Sequence, residues 1–199
     1  MGRGEKKTMK TQLYLLPVAA LMMLAGCNGN NKTNHDETDC DSLMVEESVA
    51  DSSLYGVLGD ATTMNMLQLI TDVGDTMELV LASADNDVQV VVGGMLSGDR
   101  VAVYAHVAKG EHVADKVINI TSLLGKWTSI DKSFEIKEGG TVVSTIKAET
   151  NPWTTWKLLN GNIVLNADTF TIDELGPDSM CLENKDGIFA YRRQPHQQH

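Results

Sequence analysis

The chain has 199 residues, of which 42% are hydrophobic and 22% charged, a composition typical of a globular protein rather than a fibrous or wholly disordered one. Its formal net charge is −11 at pH 7, and removal of residues 1–26, which hold four basic residues and one acidic residue, lowers this to −14. Such a charge repels nucleic-acid phosphates and anionic lipid, so the composition argues against a nucleic-acid-binding protein and against electrostatic attachment to a membrane.

The first predicted element is an export signal. A basic start (Arg3, Lys6, Lys7, Lys10) precedes an apolar run over residues 13–25, which is shorter than the ~20 residues that a membrane-spanning helix needs. Two small residues, Ala25 and Gly26, then lead to Cys27. This order predicts a secretory signal peptide over residues 1–26 that is cleaved between Gly26 and Cys27.

The run Leu24-Ala25-Gly26-Cys27 resembles the lipobox of bacterial lipoproteins. The resemblance implies that Cys27 becomes the mature N-terminus and carries thioether-linked lipid and an acyl chain such as palmitate, which together hold a protein firmly on a bilayer. It also implies the outer membrane of the bacterial envelope, facing either the periplasm or the cell surface, because Asn28 and not an acidic residue follows the cysteine. An ordinary signal peptide with an incidental cysteine, or a buried N-terminal helix, is the alternative.

Residues 27–52 are polar, acidic and nearly free of aromatic residues, which predicts a flexible tether. Its acidic cluster, residues 36–41, is interpreted as part of a solvated spacer, with a cation site or a surface-export signal as alternatives. Cys40 lies in this tether and Cys181 in a predicted strand. An oxidising envelope permits a disulfide between them, but two free thiols are the favoured interpretation.

Residues 53–121 contain six short apolar runs separated by turn residues. Period-two alternation and Gly-Asp or Gly-Gly punctuation predict antiparallel strands at residues 55–58, 64–70, 77–81, 88–92, 101–107 and 117–120. So many short strands predict a small barrel similar to an oligonucleotide/oligosaccharide-binding (OB) fold. One helical turn is predicted at residues 111–115.

Residues 122–193 contain about eight further strand-like runs in up-and-down order. Asn160-Gly161 is the strongest hairpin signal, because both residues accept positive φ. A meander of this count closes into a barrel and removes its free edges. The predicted fold is therefore all-β, with two small antiparallel β-barrels in tandem and a disordered tail at residues 194–199.

The C-terminal barrel resembles a lipocalin through Gly125-Lys126-Trp127 at its first strand and Arg192 or Arg193 after its last. The resemblance covers residues 123–193 and, together with the lipobox, is closest to lipocalin-like lipoproteins of Gram-negative anaerobes. It implies that Trp127 closes the barrel floor and that an arginine, assigned to Arg192, stacks on its ring. The strands are shorter than in true lipocalins, so side chains are expected to fill much of the interior.

Trp153 and Trp156 are the candidate ligand-binding residues. Three positions apart on a regular strand, they point to opposite faces, so one is expected in the core and the other at the rim. An exposed tryptophan beside Lys157 suits a sugar or an apolar ligand, and packing within the core and the sheet is the alternative.

Signatures of catalysis are absent from the sequence: it has no Gly-x-Ser-x-Gly elbow, phosphate loop or dinucleotide fingerprint. His106 and His112 form only a weak candidate metal pair, and neither a metal nor a cofactor is predicted. The leading interpretation is a non-enzymatic envelope lipoprotein that binds a small apolar ligand or a protein partner through the C-terminal barrel. The alternatives are an accessory subunit of an envelope assembly that docks through the first barrel, and a glycan-acting enzyme with paired carboxylates.

Overall fold

The computed structural model describes residues 50–83 and 89–194, which belong to one compact unit of the chain. The predicted signal peptide with Gly26, the lipidation residue Cys27, most of the tether with Cys40, and the tail from residue 195 lie outside the described residues. Almost all regular secondary structure in the described part is strand, which confirms the predicted all-β fold.

The first sheet forms a small closed barrel. Its strands are β1 (Leu54–Leu58), β2 (Met66–Thr71), β3 (Thr76–Leu81), β4 (Val91–Val92), β5 (Arg100–Ala108) and β6 (Glu111–Asn119). Strands β1, β2 and β3 form an antiparallel meander, β5 pairs with both β1 and β6, and β6 closes the barrel by pairing in parallel with β3. This order is that of an OB barrel, as predicted; β4 adds to β6 as a short parallel strand.

The connection between β5 and β6 differs from the sequence prediction. Residues 111–115, for which the sequence predicts a helical turn, lie in β6. Lys109 and Gly110 have φ angles of 53° and 85°, so they make a tight turn and the two strands pair as a hairpin. A short helix, α1 (Ile120–Leu123), follows instead, and its N-cap is Asn119, whose side chain accepts a hydrogen bond of 2.9 Å from the backbone N–H of Ser122.

The second sheet is an eight-stranded up-and-down barrel. Its strands are β7 (Gly125–Thr128), β8 (Ser133–Lys137), β9 (Thr141–Ser144), β10 (Trp156–Leu159), β11 (Asn162–Leu165), β12 (Asp168–Leu175), β13 (Ser179–Asn184) and β14 (Gly187–Arg193). Strand β14 returns to pair with β7, and a single bridge between Thr141 and Thr155 spans the seam between β9 and β10. The predicted second barrel is thus confirmed, although one seam is only partly closed.

The two ends of this barrel differ. The turns between β7 and β8, β11 and β12, and β13 and β14 lie at one end with the loop between β9 and β10; we call it the open end. At the other, closed end lie α1 and the short 3-10 helix Glu138–Gly140. Between the ends the interior is filled, since its large side chains are at most 9% exposed: Trp127, Phe134, Ile136, Trp153, Leu158, Ile163, Leu165, Phe170, Ile172, Met180, Leu182 and Tyr191.

The two barrels share part of one hydrophobic core. Ala102 and Ile118 of the first barrel pack in the same cluster as Leu123 of α1 and the interior of the second barrel. The Nζ of Lys116 on β6 also donates a hydrogen bond of 3.1 Å to the carbonyl of Ile172 on β12. The predicted boundary between residues 121 and 122 therefore falls inside α1, at the place where the two barrels are packed together.

Candidate ligand-binding clefts

The closed end is sealed by Trp127 and an arginine, but the arginine is Arg193 and not Arg192. The guanidinium of Arg193 lies 4.2 Å from the centroid of the Trp127 ring. The reason is register: Arg193 is directly opposite Trp127 in the pairing of β14 with β7, so both side chains lie on the inner face. Arg192 is exposed on the other face, so the prediction that it stacks on Trp127 is wrong.

Hydrogen bonds hold this arginine in place. Its Nε and Nη1 donate to the carbonyls of Pro177 at 2.6 Å and Leu124 at 2.8 Å, and Nη2 donates to the carbonyl of Ser122. The indole N–H of Trp127 donates to the carbonyl of Leu123 at 2.9 Å. Two of these acceptors, the carbonyls of Ser122 and Leu123, are the last carbonyl groups of α1, which have no partner inside the helix. The pair therefore has a structural role, because it closes this end of the barrel.

The open end carries the larger cleft, with a volume of about 930 Å³. Its apolar lining comes from aromatic and aliphatic side chains at the mouth of the filled barrel: Ile130, Trp153, Phe170, Ile188, Phe189 and Tyr191. Of these, Ile130 and Ile188 are 101% and 66% exposed, and Phe189 is 36% exposed. Such apolar side chains around one concavity are typical of a binding site rather than of ordinary surface.

An aromatic cluster forms the floor of this open-end cleft. The ring of Trp153 meets the rings of Phe134 and Phe170 edge to face, with centroids 5.0 and 5.7 Å apart. Phe170 in turn meets Phe189 at 6.0 Å, and Phe134 meets Tyr191 at 5.2 Å. Edge-to-face packing fixes each ring against its neighbours, so the floor is preformed.

One charged pair is built into the wall of the cleft. The Nζ of Lys132 lies 4.4 Å from the centroid of the Trp153 ring and also pairs with the carboxylate of Glu149. Burial would raise the pKa of Glu149, but hydrogen bonds from Lys132 and Ser144 outweigh it and hold that pKa below its ordinary value of 4.5. Burial, and to a lesser degree the charge of Glu149, raise the pKa of Tyr191 to about 12.

The rim of the cleft is polar and mostly acidic. Asp131, Asp168 and Asp186 line it, and Arg192 is the opposing charge that is free of a salt bridge within the described residues. Lys132 also lines the cleft, but Glu149 already balances its charge. A ligand at this rim therefore meets an excess of negative charge.

Trp156 lines a second, smaller cleft of about 540 Å³ between the barrels. Its indole N–H donates a 2.7 Å hydrogen bond to the carbonyl of Lys137, and Tyr55, Leu124 and Arg100 line the same cleft. The guanidinium of Arg100 is already held by both carboxylate oxygens of Asp72, at 2.9 and 2.7 Å. Arg100 is thus engaged within the protein, whereas Glu138 and Lys157, which also line this cleft, form no salt bridge within the described residues.

The two predicted tryptophans are not brought together. Strand β10 begins at Trp156, so Trp153 lies in the preceding loop and the alternation rule does not apply to the pair. Trp153 is 9% exposed in the aromatic floor, whereas Trp156 is half-buried in the other cleft. Sequence reasoning missed Phe170, Phe189 and Ile130, although the apolar run after the Asp186-Gly187 turn was a signal for Phe189.

Other chemistry-bearing groups are dispersed over the described residues. No group of three metal-ligating side chains gathers in residues 50–83 and 89–194, and His106 Nδ1 lies 2.7 Å from Asp115 on the surface. Cys181 forms no disulfide with any described residue, and burial and nearby carboxylates raise the pKa of its thiol. In the same part of the chain, α1 and the 3-10 helix are both far too short to cross a bilayer.

Comparisons of the chain with protein-family models, curated proteins and solved structures found no match. The resemblances to lipoproteins and lipocalins therefore stay predictions from sequence.

Proposed function

We propose that this protein is a non-catalytic lipoprotein of the bacterial envelope that receives apolar groups in the open-end cleft of its second barrel. The observation that supports this most is the cleft itself, whose volume of about 930 Å³ lies in the range of small-molecule sites and whose floor is aromatic beneath a polar rim. The occupant is either a small apolar ligand or the apolar side chains of a partner protein.

The filled interior decides where the occupant lies. Trp127, Ile172 and Leu182 are 0% exposed, so no ligand can descend along the barrel axis without displacing the core. An occupant therefore lies across the mouth, against Phe189 and Ile188. Each 100 Å² of apolar surface that it removes from water contributes about 2.5 kcal/mol, before the cost of association is subtracted.

The proposed location depends on the lipobox. Acylation of Cys27 would hold the barrels beside the bilayer, and the acidic tether of residues 27–52 would keep them in solution at its surface. The mature chain carries a net charge of −14, so a covalent anchor is a better explanation for membrane attachment than attraction to anionic lipid.

A dye-binding titration tests the proposed site. Residues 27–199 with Cys27→Ser contain the whole compact unit, and the neutral apolar dye Nile red reports binding by its fluorescence. We expect saturable 1:1 binding that Phe189→Ser weakens at least tenfold and Trp156→Phe, in the other cleft, leaves unchanged. Absence of saturable binding, or weakening by Trp156→Phe alone, would contradict the proposal. Circular dichroism checks that each variant is folded.

The second candidate function is an accessory subunit of an envelope assembly. The sequence predicts its docking face on the first barrel, whereas the feature that supports this function is a strand edge of the second barrel. On the first barrel, exposed Ile70 and Val80 are separated by the polar pair Gln68 and Glu78, so β2 and β3 present no continuous apolar patch. The second barrel instead offers an unpaired strand edge beside its cleft.

A further inference from the structure

Strand β14 extends past its neighbour β7. All residues from Gly187 to Arg192 pair with β13, but only Arg192 and Arg193 pair with β7. Within the described residues, the edge of β14 that faces β7 therefore has no strand partner over residues 187–191. This free edge borders the open-end cleft, because residues 188–192 line it.

The hydrogen bonds at the end of β14 show which of its backbone N–H and C=O groups face β13 and which face the free edge. The N–H of Arg193 donates to the carbonyl of Asp178 at 2.9 Å, on the β13 side, and the N–H of Gln194 donates to the carbonyl of Lys126 at 2.9 Å, on the β7 side. Alternate residues of an antiparallel strand direct their N–H and C=O groups to opposite sides. Ile188 and Ala190 therefore direct theirs to the free edge.

Two of the usual protections are absent from the free edge. Natural edge strands commonly carry charged residues, proline or a covering loop that prevents pairing with another chain. Between Gly187 and Tyr191 this edge has no charged residue and no proline. Ile188 and Ala190 are exposed on it, and the exposed Ile130 at the tip of the β7–β8 turn lines the same cleft.

We propose that an extended peptide segment of a partner protein adds to this edge of β14 and places alternate side chains in the open-end cleft. The inference depends on the proposed function, because it uses the same cleft, and it adds the chemical class of the occupant. Backbone hydrogen bonds to Ile188 and Ala190 would give affinity, and the pocket above Phe170 and Phe189 would select apolar side chains at every second position.

Charge decides between a second copy of this chain and a different partner. The rim presents Asp131, Asp168 and Asp186 against Arg192, and two mature chains would each carry a net charge of −14. Pairing of β14 with β14 of a second copy would bring these like charges together. The occupant that fits is therefore a segment with alternating apolar residues and basic residues at its flanks.

Selection from a displayed library of random ten-residue peptides tests the proposal on residues 27–199 with Cys27→Ser. The decisive variant is Ala190→Pro, which removes an N–H from the free edge while the donors to β13 remain; proline is tolerated at such edge positions. The matched control, Ala190→Ser, keeps the N–H. We expect enriched peptides with alternating apolar residues and Lys or Arg flanks, bound at least tenfold more weakly by Ala190→Pro than by Ala190→Ser.

Several outcomes would overturn the proposal: no enrichment over the Ala190→Pro protein, enriched peptides that are acidic, or equal binding to both variants. A dimer in sedimentation that Ala190→Pro dissociates would assign the edge to a second copy instead. If Ala190→Pro fails to fold, the enriched peptide is resynthesised in two forms, with N-methyl groups at its odd or at its even residues, and undiminished binding of both forms would contradict strand addition. Nile red binding by the unsubstituted protein separates the two proposals: saturable dye binding together with failure of the peptide tests would overturn strand addition and leave the apolar cleft, whereas failure of both would overturn both.

Discussion

Arg193 and Trp127 close the second barrel as a stacked pair, with the guanidinium 4.2 Å from the ring centroid and three of its nitrogens bonded to backbone carbonyls. Strands β14 and β7, the last and first of this barrel, meet α1 at the side chain of Arg193. The pair therefore ties the ends of the meander together, and its loss has a consequence that can be measured.

Arg193→Ala is expected to destabilise the protein by about 2–4 kcal/mol, because it removes charged hydrogen bonds and a cation–π contact and leaves carbonyl groups unpartnered. The matched variant Arg192→Ala, at the neighbouring exposed position, is expected to cost less than about 0.5 kcal/mol. Urea unfolding followed by tryptophan fluorescence measures both. Equal losses would contradict the assignment of Arg193 as the closing arginine.

Asn119 is a second structural position with a large expected effect. Its side chain is 0% exposed, caps α1, and donates to the carbonyl of Gly94 at 3.0 Å and to the carboxylate of Asp99 at 2.7 Å. Asn119→Ala is expected to cost about 2–3 kcal/mol in the same unfolding experiment. Asn65→Ala, at an exposed position, serves as the control, and a comparable loss there would show that the cap is not the cause.

The pairing of Glu149 with Lys132 predicts a pH dependence of stability. The folded-state pKa of Glu149 is depressed, so the stability that this group contributes is present above its ordinary pKa of 4.5 and is lost as the pH falls through the folded-state value. Glu149→Gln is therefore expected to be less stable than the unsubstituted protein at pH 7, with a difference that shrinks below pH 4.5. A difference independent of pH between 7 and 3 would exclude an electrostatic origin.

Acylation is predicted at Cys27, the residue that directly follows the predicted signal peptide. Cells that express the full chain and are fed an alkyne analogue of palmitate are expected to label the protein, and Cys27→Ser is expected to abolish that label while Cys40→Ser keeps it. Labelling that survives Cys27→Ser, or a protein without label, would contradict the lipoprotein assignment and leave the barrels without the proposed anchor.

Local sequence signals predicted the strands well because turns depend on few residues. Asn160 and Gly161 have φ angles of 47° and 81°, as expected for the hairpin between β10 and β11. The prediction of a helical turn at residues 111–115 is wrong for a related reason. The turn at Lys109-Gly110, which makes these residues part of β6, is not included in the prediction. Where turn residues are recognised, the strands on either side follow from alternation.

The candidate site was harder to predict because it depends on pairing between distant strands. Whether Arg192 or Arg193 stacks on Trp127 depends on the register of β14 against β7, since a shift of one residue exchanges the side chains on the inner and outer faces. The cleft itself arises because β14 is longer than β7, which no local pattern near Phe189 or Ile130 expresses. Trp153 was identified as a candidate, but its neighbours in the aromatic floor come from three separate parts of the chain.

The most direct test of apolar binding at the open end is methyl NMR of the isoleucine and leucine side chains during titration with an apolar ligand such as Nile red. We expect the methyl signals of Ile130 and Ile188 to shift with a common saturation curve, while those of Ile120 and Leu124 in the other cleft stay in place. Shifts confined to Ile120 and Leu124, or no saturable shift at all, would contradict apolar binding at the open end.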